Sequence, residues 1–271
     1  MDQGVFSLEP NLDPFLTSDR GDCIINIHYG DLPSLNNWRT VYRTMNFWEL
    51  YENDTAWMVC LNSDQNSTHY RSLIVDQDLR SGDLYTTLAH KQIEFPLIPF
   101  RYPIPEILSI MMLARERGIL LHATAAKYPG QGIIFAGHSG AGKSTTARIW
   151  RDQTGVTLLS DDRVILRKKS ATYWIHGTPW HGDANIISPE ATPLTRIMIL
   201  EHGDENRATR LNPLQATTAL LTRSFPPVWD TAGMQFTLDF IAEMVTQIPV
   251  YQFRFTPDES MIDFVKTLNT R

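Results

Sequence analysis

Cysteine is almost absent from this sequence: Cys23 and Cys60 are its only two among 271 residues. Two thiols make no disulfide framework for a chain of this size, and without a Cys-x-x-Cys pair there is no zinc knuckle or dithiol motif. Long apolar runs are lacking as well. The longest, around Ile107 to Ala114, falls far short of the ~20 residues that span a bilayer. Positive charge is in deficit, with 24 Lys and Arg against 30 Asp and Glu and a net charge of −6. A general nucleic-acid binder needs a basic face, so that class is set aside. The basic cluster Arg167-Lys168-Lys169 reads as the solvated tip of a hairpin. The opening Met1-Asp2-Gln3-Gly4 has neither the basic nor the apolar region of a signal peptide. These absences lead to the expectation of a cytoplasmic protein that engages neither membrane nor nucleic acid.

What remains is an ordinary globular composition, long enough for one large domain or two modest ones. Residues 1–100 alternate short apolar-aromatic runs with polar breaks. Ile24–Tyr29, Thr55–Leu61 and Tyr70–Val75 read as strands, with turns at Asp31, Asn62–Asn66 and Gly82-Asp83. A Pro99–Pro105 junction leads into a helix apolar nearly all round, with Pro105 in its first turn, Arg115 and Arg117 in its last, and Gly118 as its cap. Strands follow at Ile119–Lys127 and Gly132–Ala136, then a helix from Lys143 to Trp150 and a strand over Val156–Ser160. Val164–Arg167 and Thr172–Ile175 suit a hairpin. Beyond it come a strand over Arg196–Leu200, a helix over Pro213–Leu221 capped by Asn212, a helix over Trp229–Gln247, a strand over Val250–Phe255 and a helix over Ser260–Leu268.

Between the second and third of these central elements lies Gly137-His138-Ser139-Gly140-Ala141-Gly142-Lys143-Ser144, followed by Thr145. The pattern G-x-x-x-x-G-K-[ST], the Walker A sequence, is specific when a strand precedes it and a helix follows. Its glycines let successive backbone N–H groups converge on phosphate oxygens, and the helix N-terminus adds partial positive charge. Residues Gly137 to Thr145 are therefore expected to hold ATP. Lys143 would reach the β- and γ-phosphates, and the Ser144 hydroxyl would be offered to Mg²⁺. The bland alternative is a glycine-rich turn that binds nothing. His138 occupies a variable position, where the alternatives are contact with substrate or γ-phosphate and a side chain that simply points to solvent, the latter favoured.

Phosphoryl transfer also needs carboxylates outside the loop. Asp161-Asp162, at the exit of the strand after the loop helix, is so placed. Neighbours on extended backbone point oppositely, so the two need not share a task. Asp161 is assigned to the acceptor hydroxyl and Asp162 to the metal, with the two exchangeable. Arg163, Arg196 and Arg223 are candidate phosphate clamps, Arg163 foremost. In Gly177-Thr178-Pro179-Trp180-His181-Gly182-Asp183, a ligand loop and a structural loop with Trp180 packed on the sheet are equally good readings. His176 and His181 lack partners at zinc spacing.

Taken in order, Leu121-His122-Ala123-Thr124, Gly132 through Ser144, and Leu159-Ser160-Asp161-Asp162-Arg163-Val164 resemble HPr kinase/phosphorylase and, more remotely, the phosphoenolpyruvate carboxykinases. The resemblance runs from Leu121 to Leu166. It implies that His122 lies near the aspartates and joins Asp161 and Lys143 as a catalytic residue. It departs at His138, where the bifunctional enzymes carry an acidic residue, and at Gly177–Asp183, where they carry Glu-x-Arg-Gly. Both departures point away from the reverse reaction and from HPr as acceptor. The N-terminal β-rich region and the Gly-Thr-Pro-Trp segment are more similar to stand-alone HPr-kinase-like proteins of ribosomal peptide natural-product clusters, some of which, including lasso-peptide kinases, phosphorylate a precursor peptide on serine.

The expected fold is α/β: a P-loop domain over 101–271 with a mixed sheet of the HPr kinase/phosphoenolpyruvate carboxykinase type, and a β-rich domain over 1–100. The expected function is transfer of the ATP γ-phosphate, with Mg²⁺, to a serine hydroxyl of a peptide or protein. The alternatives are a small-molecule kinase and a nucleotide-binding regulatory or peptide-binding protein without chemistry. A homo-oligomer is left open.

Overall fold

The computed structural model of the chain describes residues 7–45, 47–63, 68–87 and 98–268. The Met1–Gly4 segment, and Asp64 to Asn66 of the expected turn, lie outside the described residues. The chain divides into two compact units, Met1–Leu108 and Ser109–Arg271.

The first unit carries one six-stranded sheet. Its strands are β1 (Ile24–Tyr29), β2 (Arg39–Arg43), β3 (Trp48–Glu52), β4 (Ala56–Ser63), β5 (Thr68–Asp76) and β6 (Ser81–Thr86), in the order β1-β6-β5-β4-β3-β2. Neighbours are antiparallel except β1 and β6. Leu50, Met58, Val59, Leu73, Val75 and Leu84 are buried. The turn expected at Gly82-Asp83 is instead part of β6. A Cβ on Gly82 would stand 2.5 Å from the Ile74 carbonyl oxygen, so this glycine serves close strand approach, not chain reversal. Asn62 and Ser63 likewise extend β4 instead of turning.

Helix α1 (Ile104–Leu113) ends earlier than its sequence suggests, and Glu116 takes a left-handed conformation (φ 58°) in the turn beyond it. Gly118 is not the helix cap. It passes so close to the next strand pair that a Cβ would lie 2.2 Å from the Leu166 carbonyl oxygen.

The second unit is built on an eight-stranded mixed sheet, as expected. Strands β7 (Ile119–Tyr128), β8 (Gln131–Ala136), β9 (Thr157–Ser160), β10 (Arg163–Lys169), β11 (Thr172–His176), β12 (Ala191–His202), β13 (Arg207–Arg210) and β14 (Val250–Phe255) run in the order β11-β10-β7-β8-β12-β14-β13, with β9 on β7. β12 pairs with β8 and β14 in parallel, and its first residues also pair with β11. That last pairing closes a ring through β7, β8, β12, β11 and β10.

Period-two alternation assigns the two faces. Ile134, Ala136, Ile197 and Ile199 face a core completed by Leu220 of α3 (Pro213–Leu221) and Ile241 and Met244 of α4 (Thr231–Gln247). Ile133, Phe135, Met198 and Leu200 face the other, with Ala147 and Trp150 of α2 (Lys143–Arg151) and Met261 and Val265 of α5 (Ser260–Thr267). The cap Asn212 and Gln215 form a reciprocal capping box on α3, as the residue types favour. Arg167, Lys168 and Lys169 lie within β10, and the hairpin tip is Ser170-Ala171.

Candidate functional site

The site lies where β8 turns into α2 and β9 turns into β10. These two turns meet across β7. Thr124 of β7 is fully buried, and its hydroxyl lies 3.3 Å from the Lys143 carbonyl oxygen and 3.5 Å from that of Asp161. One side chain thus ties the start of the loop helix to the aspartate turn.

Gly137 through Gly142 form the loop. Gly140 and Gly142 have φ of 80° and 99°, which L side chains rarely adopt. A Cβ on Gly142 would also stand 2.6 Å from the Phe255 ring. Gly142 caps α2 without any side-chain hydrogen bond, so its own geometry, not a capping side chain, sets the helix start. Lys143 is 8% exposed, and its Nζ donates to the carbonyl oxygens of Gly137 (2.9 Å) and His138 (3.0 Å). Burial pushes its pKa down, the charge of Asp162 opposes this, and that of Arg223 adds to it.

β9 and β10 run along the same side of β7 and are separated by the kink at Asp161-Asp162. Ser160 makes the kink. Its hydroxyl accepts from the Asp162 and Arg163 amides at 3.1 Å each and donates to the Trp180 carbonyl oxygen at 3.1 Å. The two aspartates consequently face different surroundings. Asp161 is 2% exposed, and its carboxylate accepts from the amides of Gly182 (3.0 Å), Ala184 (2.7 Å) and Ile186 (3.1 Å). Three of its roughly four acceptor positions are filled. This is a brace for the 177–187 loop, and it fits poorly with the proton-accepting role expected of Asp161.

Asp162 is half-buried and sits at the centre of a charge network. Oδ1 is 3.0 Å from His122 Nδ1, and Oδ2 is 3.4 Å from Arg163 Nε. Burial alone would raise its pKa. The His122 hydrogen bond and the charges of Arg163, His122 and Lys143 outweigh that and hold it below the usual carboxylate range. His122 Nδ1 is also 2.9 Å from the Asp162 carbonyl oxygen.

Two cavities share a wall made by His122, Ser139 and Asp162. One, of about 380 Å³, is lined by Gly140, Gly142, Lys143, Ser144, Thr145, Asp161, Gly182, Asp183 and His202 besides that wall. The other, of about 410 Å³, is lined by Gly137, His138, Arg163, Thr222, Arg223, Ser224 and Phe225. The structure therefore gathers His122, Lys143, Ser144, Thr145, Asp161 and Asp162 around the first cavity, and sets His138 on the second.

Two residues of the site have no local signature in the sequence. His202, at the end of β12, has Nε2 2.7 Å from the Gly140 carbonyl oxygen and stacks on Phe255. Phe225 lies under the Arg163 guanidinium at 5.2 Å. Arg196, a candidate clamp, is a buried tie instead: it donates to the carbonyl oxygens of Val265 and Leu268 and to Gln131, and lines neither cavity.

Among the described residues, no group of three or more His, Cys, Asp or Glu could hold a metal. Magnesium does not require one, since it takes one or two protein oxygens and completes its shell with water and phosphate. The Ser144 hydroxyl and the Asp162 carboxylate, hard oxygen donors on one cavity, fit that chemistry. No helix among the described residues is long and apolar enough to cross a membrane.

The family described as SynChlorMet cassette protein ScmC matches residues 104–258, which include every residue lining the two cavities. The chain belongs to this family. No curated protein matches it significantly. Among solved structures, it is similar to an HPr(Ser) kinase/phosphatase from Coxiella burnetii, at 12% identity and a TM-score of 0.29, over 54% of this chain and 90% of that one. At that degree of overlap the chemistry of this ScmC-family chain has to be read from its own residues.

Proposed function

We propose that the chain is an ATP- and magnesium-dependent phosphotransferase that moves the γ-phosphate to a serine hydroxyl of a peptide or protein. The observation that carries this reading is the wall of His122, Ser139 and Asp162 between a cavity lined by a Walker A loop and a second, open one. A nucleotide seated by the loop amides and Lys143 would present its terminal phosphate to that wall, and an acceptor would approach from the other side.

The Nδ1 of His122 faces two oxygens of Asp162, so it carries the proton and leaves Nε2 as the acceptor. Nε2 takes the proton of the serine hydroxyl. The serine oxygen forms its bond to the γ-phosphorus as the bond from phosphorus to the β–γ bridging oxygen breaks, and ADP leaves with that electron pair. Lys143 and the loop amides stabilise charge on the transferring group. Ser144 and Asp162 would hold magnesium, which would supply charge neutralisation for the phosphates. Asp161 takes no part in proton transfer and holds the loop that carries Asp183 in place.

Incubation of the purified chain with γ-labelled ATP, magnesium and serine-containing peptides tests the reading. Magnesium-dependent label on serine is expected. Tight nucleotide binding with no transfer to any acceptor would leave a binding protein instead.

A further inference from the structure

The two cavities differ in charge. The nucleotide side sets Asp161, Asp162 and Asp183 around one lysine, while the other side sets Arg163, Arg223 and two imidazoles around the single carboxylate of Asp162. That carboxylate is already shared between His122 and Arg163. In a chain of net charge −6, this is a local excess of positive charge, with no anion paired with Arg223 among the described residues.

Arg223 is built in place. The segment after α3 runs beside β7: the His122 amide donates to the Arg223 carbonyl oxygen at 2.8 Å, Ser224 bridges Leu121, and the Phe225 amide donates to Leu120 at 2.9 Å. Its Nη1 bonds the Ala219 carbonyl oxygen at 2.7 Å and the Thr222 hydroxyl at 3.3 Å, while Nε is shielded from solvent without a partner. A guanidinium has five donors in a fixed fork suited to carboxylate. Burial acts on its charge without a counter-charge among the described residues. Arg163, stacked on Phe225, lines the same cavity.

We infer that the second cavity seats the acceptor and that Arg223, with Arg163 beside it, binds a carboxylate of an acidic peptide next to the serine that is phosphorylated. The inference rests on the phosphotransferase reading and specifies its substrate class. Because the His122 amide donates to the Arg223 carbonyl oxygen at 2.8 Å, the two residues are immediate backbone neighbours, and the acidic residue lies about one or two positions from the serine.

The test uses the full chain, γ-labelled ATP and three synthetic peptides identical except that the positions flanking the serine are Glu, Gln or Lys. The Glu peptide should exceed the Gln peptide at least tenfold in kcat/KM, and the Lys peptide should be poorest. Arg223→Gln should bring the Glu-over-Gln ratio toward unity through KM, and Arg223→Lys should restore part of it. Equal use of Glu and Gln peptides by the unaltered chain overturns the inference, and does so without any variant having to fold. An Arg223→Gln variant that loses kcat equally on both peptides also overturns it, because the arginine then acts on the transferring phosphate. No label in any peptide, with nucleotide binding intact, brings down the transfer reading itself and this inference with it.

Discussion

His122 is fixed twice by a single neighbour: its Nδ1 lies 2.9 Å from the backbone oxygen of Asp162 and 3.0 Å from that residue's side-chain Oδ1. Both contacts are acceptors, so the ring has one tautomer and one orientation available, with Nε2 turned away from Asp162. The kink that ejects Asp162 from the strand therefore also aims the imidazole.

Replacing His122 by Gln keeps a polar side chain but removes the base. Single-turnover transfer to an accepting peptide should fall by roughly 10²–10⁴-fold, the usual range for a positioned acid–base group. Magnesium–ATP affinity should move far less. Rates within a few-fold of the unaltered chain would remove His122 from the chemistry.

The two aspartates should separate by assay. Asp161→Asn replaces one carboxylate oxygen by an NH2 group and leaves at least the Ala184 amide of the 177–187 loop unpaired, at about 1–3 kcal/mol in all, which corresponds to a melting temperature lower by roughly 3–10 °C. Asp162→Asn, which removes a half-buried charge held by His122, Arg163 and Lys143, should lower the melting temperature only modestly and abolish transfer. Thermal unfolding followed by circular dichroism, run beside the transfer assay, decides this. An Asp161→Asn protein that melts normally yet transfers nothing would return the base role to Asp161.

Nucleotide affinity should decline on the alkaline side. Burial lowers the pKa of Lys143, and polyphosphate prefers the charged ammonium, so affinity is retained below that pKa and lost as pH rises through it. Arginine stays charged throughout. Lys143→Arg should therefore show a flat alkaline limb, whatever its absolute affinity. Titration of a fluorescent ATP analogue from pH 7 to 10 measures both, and parallel declines would refute the account.

Gly142 and Gly140 offer a graded pair. Both have positive φ, worth about 1–2 kcal/mol against an L side chain, but only at Gly142 would the new Cβ meet Phe255, at 2.6 Å. Gly142→Ala should lose at least tenfold in nucleotide affinity, and Gly140→Ala clearly less. The reverse order would mean that the Phe255 contact does not shape the loop.

What could be read in advance follows from how local each signal is. The phosphate loop is a contiguous pattern, and the capped helix at Asn212 has its capping partner three residues away. Both are legible without tertiary knowledge. β12 reaches from Ala191 to His202, well beyond Arg196–Leu200, because its ends are held by β11 and β14, which lie elsewhere in the sequence. β2, β3, β6 and β13 have no clean apolar alternation to mark them as strands. The division of labour between Asp161 and Asp162 depends on amides of Gly182, Ala184 and Ile186, and no spacing rule brings those three to one carboxylate. Arg223 reaches His122 only because the chain returns to β7 after α3.

The contact between β11 and the start of β12 has a bearing on how the second unit can stick to other chains. A sheet usually leaves two outer rims of unpaired amides and carbonyls open to further strands. Here one rim folds back on β12, and the far end of the sheet is β13, four residues long with arginines at both ends. Growth by strand addition, the common route to aggregation of β-rich proteins, is left with little backbone to template on at that end.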